Sequence, residues 1–146
     1  MVNVPDPTDP LRSYNFKVVI QGVTEGHFTQ CSGLGVRLGV IRYREGGQGQ
    51  VARAIPGRVE YADVELRYGL TSSRELWDWL MTAVNGQVVR KNVSLLMLDP
   101  QGTTELMRWD LVNAWPSQWR GAMLDAMSQE AAIESLTLVF DTLSRA

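Results

Sequence analysis

Residues 59–70 read VEYADVELRYGL, and within this run Val64, Leu66 and Tyr68 alternate with Asp63, Glu65 and Arg67. On a helix these six would scatter around the axis. On a strand they separate into one apolar and one polar face. The run therefore reads as a half-buried β-strand. A chain built from such strands must cover one face of each and protect their edges.

The same period recurs along the chain. In YNFKVVIQG, Tyr14, Phe16, Val18 and Ile20 oppose Asn15, Lys17 and Gln21, and Gly22 closes the strand. FTQCSGLGVRLGVIRYRE keeps β character through glycines at 33, 35 and 39, positions that suit bulges or bends. VVRKNVSLLMLD and TTELMRWDLVNAW flank Asp99-Pro100-Gln101-Gly102, whose Pro and Gly suit a type I turn, so the pair reads as a hairpin. EAAIESLTLVFDTL reads as a last strand, and residues 117–128, without alternation, as a long connection.

One segment changes period. SSRELWDWLMTAVNG opens on a capping box, Ser72 with Glu75, and ends at Asn85-Gly86, which predicts a helix over about 72–85. At ~100° per residue its apolar arc, from Trp79 through Leu76 and Leu80 to Met81, spans roughly 200°. That is about twice what a helix lying on one sheet needs. Either the helix is deeply embedded, or a second copy of the chain covers its far side. No repeat or linker divides the 146 residues, so one domain over 1–146 is expected, with the Pro-rich residues 1–12 as an extended arm. The fold class is mainly β: an antiparallel sandwich or barrel of about six or more strands with one flanking helix.

Reactive chemistry is poorly served. His27 and Cys31 are the only residues of their kinds, too few for a structural zinc site and unable to form an internal disulfide. GLGVRLG at 33–39 has its last glycine one position late for a dinucleotide loop, and no helix follows it. GGQG at 46–49 lacks the Lys-Ser/Thr of a phosphate loop. No catalytic, cofactor-binding or metal-binding residue is assigned, and an enzyme is not expected. The net charge of −2 argues against a basic nucleic-acid-binding face. The first fourteen residues carry two acids, three prolines and no apolar run, so neither a leader nor a membrane anchor is expected there.

The stretch YREGGQGQVARAIPGRVEY, 43–61, stands apart. Arg42, Arg44, Arg53 and Arg58 face the single acid Glu45 over residues 42–58. A loop of this length without structure of its own tends to be functional. Phosphate binding, a solvated loop and an assembly arm that meets a neighbouring chain are the three readings.

The chain also resembles the tail-tube proteins of contractile-tailed bacteriophages and of extracellular contractile injection systems. The resemblance rests on an ordered series: Asp9-Pro10, Asn15-Phe16, Gly22, Phe28, Ser32-Gly33-Leu34, Ile41, Tyr43-Arg44-Glu45-Gly46-Gly47, Pro56-Gly57, Leu66, Gly69-Leu70-Thr71 and Leu76-Trp77-Trp79. It closes with Trp109, Asn113-Ala114-Trp115-Pro116 and Ile133-Glu134-Ser135-Leu136. Tyr68 departs from it, standing where a basic residue is usual, and Cys31 stands where an aliphatic is usual. The resemblance implies a structural subunit made in the bacterial cytoplasm and found in an assembled particle. Six copies would join sheets edge to edge into a ring, rings would stack into a tube, and a contracting sheath would drive the tube into a target. Partners would be the sheath, the baseplate or tube-initiator and tail-terminator proteins, and a cargo of effector protein or phage DNA. The 45–57 loop would reach the neighbouring subunit, with Arg44, Glu45, Gly46, Gly47, Gln48, Arg53, Ile55, Pro56, Gly57 and Trp79 at subunit or ring contacts. Asp63, Glu65 and Arg67 would face the lumen. The alternative from another class is a monomeric β-barrel that binds a small ligand beneath the helix.

Overall fold

A computed structural model describes residues 15–23, 28–44, 52–70 and 72–146. Among these, nine strands and one helix follow the order β1 (Phe16–Ile20), β2 (Phe28–Ser32), β3 (Val36–Arg44), β4 (Ala52–Tyr61), β5 (Val64–Gly69), α1 (Glu75–Val84), β6 (Lys91–Leu98), β7 (Glu105–Arg120), β8 (Ile133–Val139) and β9 (Thr142–Arg145). All pairings are antiparallel.

The architecture turns on β7, which at sixteen residues is long enough to serve two sheets. Its first half lies between β6 and β9, and β1 pairs on the far side of β6. Its second half pairs with β8, followed by β5 and β2. The turning point is Asn113, whose φ of 56° lies in the left-handed region that Asn tolerates better than most residues. Three hydrogen bonds hold it there. Asn113 Nδ2 donates to Asp141 Oδ2 at 2.9 Å, its backbone N donates to Asn92 Oδ1 at 3.3 Å, and Asp141 N donates to the Val112 carbonyl at 2.9 Å. Opposite this bend, the expected last strand divides into β8 and β9 at Phe140–Asp141, so both sheets turn at one place. Pro116, which can donate nothing to a ladder, is fully buried next to a register shift.

Inward-facing residues of both sheets meet in one core. Val18, Ile20, Val93, Leu95 and Leu111 come from the first sheet, and Val64, Leu66, Leu136 and Leu138 from the second. The helix packs against β7 and contributes Trp79, 3% exposed. Among the described residues no charged or polar side chain is buried. The helix begins at Glu75, three residues later than its capping signal predicts. No side chain caps it; Ser73 Oγ accepts from Glu75 N at 3.5 Å, and Ser72 stays outside. The C-terminus follows expectation, with Asn85 as cap and Gly86 at φ 80°.

Three other boundaries differ from the sequence reading. Residues 117–120 continue β7 rather than starting a connection. The run 59–70 is interrupted at Ala62–Asp63, because β4 leaves the body to pair with β3. Most consequentially, residues 52–57 of the expected loop are strand, with Ala52–Pro56 paired to Val40–Arg44. A Pro-Gly within this stretch is tolerated because a two-stranded ribbon has outer edges that need no donor, and a register shift lies beside it.

Leu136→Ala should lower stability by about 2–5 kcal/mol in reversible unfolding, through cavity formation in this core. Ser72→Ala should stay within about 0.5 kcal/mol of the parent, the range of a surface substitution. A loss of ~1 kcal/mol or more for Ser72→Ala would restore the capping box.

Candidate assembly surfaces

The β3–β4 ribbon stands apart from the seven-stranded body as a separate two-stranded sheet. Directly opposed residues share a face. Val36–Tyr61, Leu38–Val59 and Val40–Pro56 therefore make one apolar face, continued by Ala54 and Ala52 opposite Arg42 and Arg44. The other face carries Ile41–Ile55 and Tyr43–Arg53, with Arg37–Glu60 nearer the body. An extra β4 residue between these groups makes a bulge where the backbones approach closely. A Cβ on Gly57 would lie 3.1 Å from the Gly39 carbonyl oxygen, so a larger residue requires the facing strand to give by a few tenths of an ångström.

In a half-buried strand one of these faces would lie on the core. Here Val36, Leu38, Val40 and Ile41 are each 53–61% exposed, and Tyr43, Ile55 and Val59 are exposed as well. Full burial of such a side chain is worth about 1.5–3 kcal/mol, so a ribbon that leaves seven in water has a large unmet gain from association. Its charge is one-sided: Arg37, Arg42, Arg44, Arg53 and Arg58 against Glu60 among the described residues. The root is fixed to the body. Ala62 N donates to the Gly35 carbonyl at 3.0 Å, and the Tyr61 and Phe140 rings lie 5.8 Å apart. Gly33 adopts φ 94°, and a Cβ there would collide with the Asp63 carbonyl.

Of the residues singled out in the sequence, Arg44, Arg53, Ile55, Pro56 and Gly57 come together on this ribbon. Glu45, Gly46, Gly47 and Gln48 lie outside the described residues, as does His27. Trp79 is a correction. It is buried inside its own subunit and donates from Nε1 to the Val89 carbonyl at 2.7 Å, so it has no surface to offer a neighbour. Deep embedding therefore explains the Trp79–Leu80 part of the wide helical arc, while Val84 remains 64% exposed. The sequence reading did not single out Val36, Leu38, Val40 and Val59, which the structure leaves exposed. Apolar residues on both faces of the 36–44 run were the available signal.

The outward face of the second sheet has a different character. Glu65 and Arg67 form an exposed pair at 3.2 Å. Their cross-strand neighbours are Ser32 and Gln30 on β2, and Thr137 and Ser135 on β8. Asp63 precedes β5 and is exposed beside the ribbon root rather than within this polar row. At one end of the core, Glu134 accepts from Trp119 Nε1 at 3.3 Å and from the Tyr68 hydroxyl. Burial, then the Glu134 carboxylate, push the Tyr68 hydroxyl pKa upward. Burial likewise raises the Cys31 thiol to about 11, which suppresses the thiolate and makes Cys31 a packing residue. No cluster of metal-ligating side chains occurs among the described residues.

Comparison with known proteins gives this arrangement a context. The profile of the T4-like virus tail tube protein gp19 family matches residues 12–144. This chain belongs to that family. Family members are structural tube proteins, not enzymes. A chain from an extracellular contractile injection system, the PVC sheath–tube complex in its extended state, is similar at 28% identity and TM-score 0.86, covering 96% of this chain and 93% of that one. A chain from the anti-feeding prophage tube-terminating cap is similar at 26% identity and TM-score 0.83, over 99% and 95%. Hcp1 from Flavobacterium johnsoniae, at 14% identity and TM-score 0.53 over 90% and 94%, shares the fold. A search of curated protein sequences found no match. The family accounts for the β-rich architecture with one helix and displaces the alternative of a ligand-binding barrel.

Tyr68→Phe should cost about 0.5–1.5 kcal/mol at neutral pH by removing one donor from Glu134. Because folding raises the hydroxyl pKa, its contribution is present below about pH 10 and is lost as pH rises through the folded value. The gap between parent and variant in urea unfolding should therefore narrow above pH 10.

Proposed function

We propose that this protein is the repeating subunit of the inner tube of a contractile injection system. Six copies form a ring, rings stack into a hollow conduit, and contraction of a surrounding sheath drives that conduit into a target. The observation that carries this reading is the β3–β4 ribbon, which is firmly rooted, apolar on both faces and exposed in the single chain. No described part of its own chain covers it, and in a one-component ring the chain that does so is a copy. Among the described residues β1, β2 and β9 each keep one unpaired edge, a further place for strand addition between copies.

Similarity to chains from a sheath–tube complex and from a tube-terminating cap supports a sheath around the tube and a terminator at one end. A baseplate-side initiator belongs at the other. The first of these structures comes from an extracellular contractile injection system, which favours effector protein over phage DNA as cargo. The row Gln30, Ser32, Glu65, Arg67, Ser135 and Thr137 suits a lumen wall. Its charges compensate within one ion pair, and its remaining groups are short and uncharged, so cargo of either sign finds no strong field to hold it.

The purified chain, alone or coexpressed with its sheath, should give rings and tubes in negative-stain microscopy. Val40→Ser/Ile41→Ser should leave a folded subunit, with a Tm within a few degrees of the parent, that no longer assembles. Assemblies of parental size and number from that variant would contradict the reading.

A further inference from the structure

The β3–β4 ribbon concentrates positive charge on the same element that bares its apolar side chains. Residues 36–61 hold five arginines against Glu45 and Glu60, in a chain whose net charge is −2, so the remainder of the chain is net acidic. Arg42, Arg44 and Arg53 lie towards the tip of the ribbon, and Arg37 and Arg58 towards its root. Between them stand Val40, Ile41 and Ile55, all exposed.

Apolar side chains bracketed by guanidinium groups match one kind of surface closely. At the boundary between headgroups and acyl chains, apolar groups gain by burial, and each Arg nearby gains from the negative potential of anionic lipid. The long Arg stem follows apolar surface while its head stays with the phosphates. The other bare apolar group of the chain, Met123, Leu124 and Met127, lacks this match. Residues 121–132 carry Asp125 and Glu130 and no Lys or Arg, a charge that anionic lipid repels.

We propose that the uncovered β3–β4 ribbon is a binding surface for anionic lipid bilayers. The surface acts in the free subunit, and wherever an assembly leaves a ribbon bare, so it goes beyond the tube reading and does not depend on it. The face made by Val36, Leu38 and Val40 enters the headgroup–acyl boundary, and Arg42 and Arg44, on the same face nearer the tip, meet lipid phosphates. The net acidic remainder of the chain is held off in water, which fixes the orientation of the subunit on the surface. The ribbon lies at headgroup level and does not cross the bilayer. A two-stranded sheet has unpaired outer edges, and hydrocarbon cannot satisfy their backbone groups.

The test is vesicle flotation with the full-length chain kept dissociated, below the concentration at which it assembles. The vesicles are phosphatidylcholine alone or an equal mixture of phosphatidylcholine and phosphatidylglycerol. The parent should float with the mixed vesicles, stay behind with pure phosphatidylcholine, and be released by high salt. R42Q/R44Q should keep the parental Tm and partition about 30-fold more weakly onto the mixed vesicles. V40S/I41S should also bind more weakly. Amides of Val36–Arg44 and Ala52–Tyr61 should exchange more slowly on the mixed vesicles, while those of α1 stay unchanged. A parent that ignores the mixed vesicles, or floats equally with both kinds, would overturn the proposal. So would parental binding by either variant, or protection outside the ribbon in place of the ribbon. Binding to heparin as tight as binding to the mixed vesicles would assign the arginines to polyanions in general, and would overturn it too. The assay contains no tubes, so a chain that binds lipid but never assembles contradicts the tube reading alone.

Discussion

A two-stranded ribbon has no interior. Whatever apolar surface its faces carry must be buried against something else, and the body of this chain does not supply it. The body meanwhile is complete, with Leu66, Leu111, Leu136 and Leu138 fully enclosed and no buried polar group among the described residues left to satisfy. Stability and association are thereby assigned to different parts of the chain. The sandwich folds on its own core, and in the proposed reading the ribbon keeps its apolar area for assembly. The chain belongs to a family of tube proteins, whose members work as assemblies rather than as single chains.

The body also determines where the ribbon points. Asn113 turns β7 from one sheet into the other, and the Phe140–Asp141 break turns its partner strand at the same level. Phe140 then meets Tyr61 at the ribbon root, while Gly33 allows the chain to pass against the Asp63 carbonyl. A rigid root matters for a subunit that repeats, because a small error in ribbon direction accumulates from copy to copy. At the other end of the core, Tyr68 shows how a departure from the usual tail-tube pattern is absorbed. Where a basic residue would offer Glu134 a charge, Tyr68 offers a neutral hydroxyl, shared with the Trp119 indole.

Most of the body was legible in the sequence because its information is local. The alternation of Val64, Leu66 and Tyr68, the turn at Asp99–Gly102 and the Asn85-Gly86 stop are each contained in a few residues, and each appears where expected. Failures came where distant partners decide. Ser72 and Glu75 look like a cap, yet the helix starts later. Ala52–Gly57 looks like a loop because Pro56 and Gly57 are poor strand formers, yet pairing with β3 and a bulge accommodate both. The resemblance puts Trp79 at a neighbour and the wide helical arc allows it, whereas the β7 side of the fold encloses the ring. The exposed trio at Met123, Leu124 and Met127 was invisible, since no sequence pattern distinguishes a connection that is bare from one that is covered.

The most direct measurement of the central claim is amide hydrogen exchange on dissociated subunits and on assembled tubes. An isolated two-stranded ribbon is only marginally stable, so amides of Val36–Arg44 and Ala52–Tyr61 should exchange quickly in the free subunit. In the tube they should slow by orders of magnitude, while β6 and the first half of β7 change little. Equal protection of the ribbon in both states would show that assembly does not cover it, and would contradict the account.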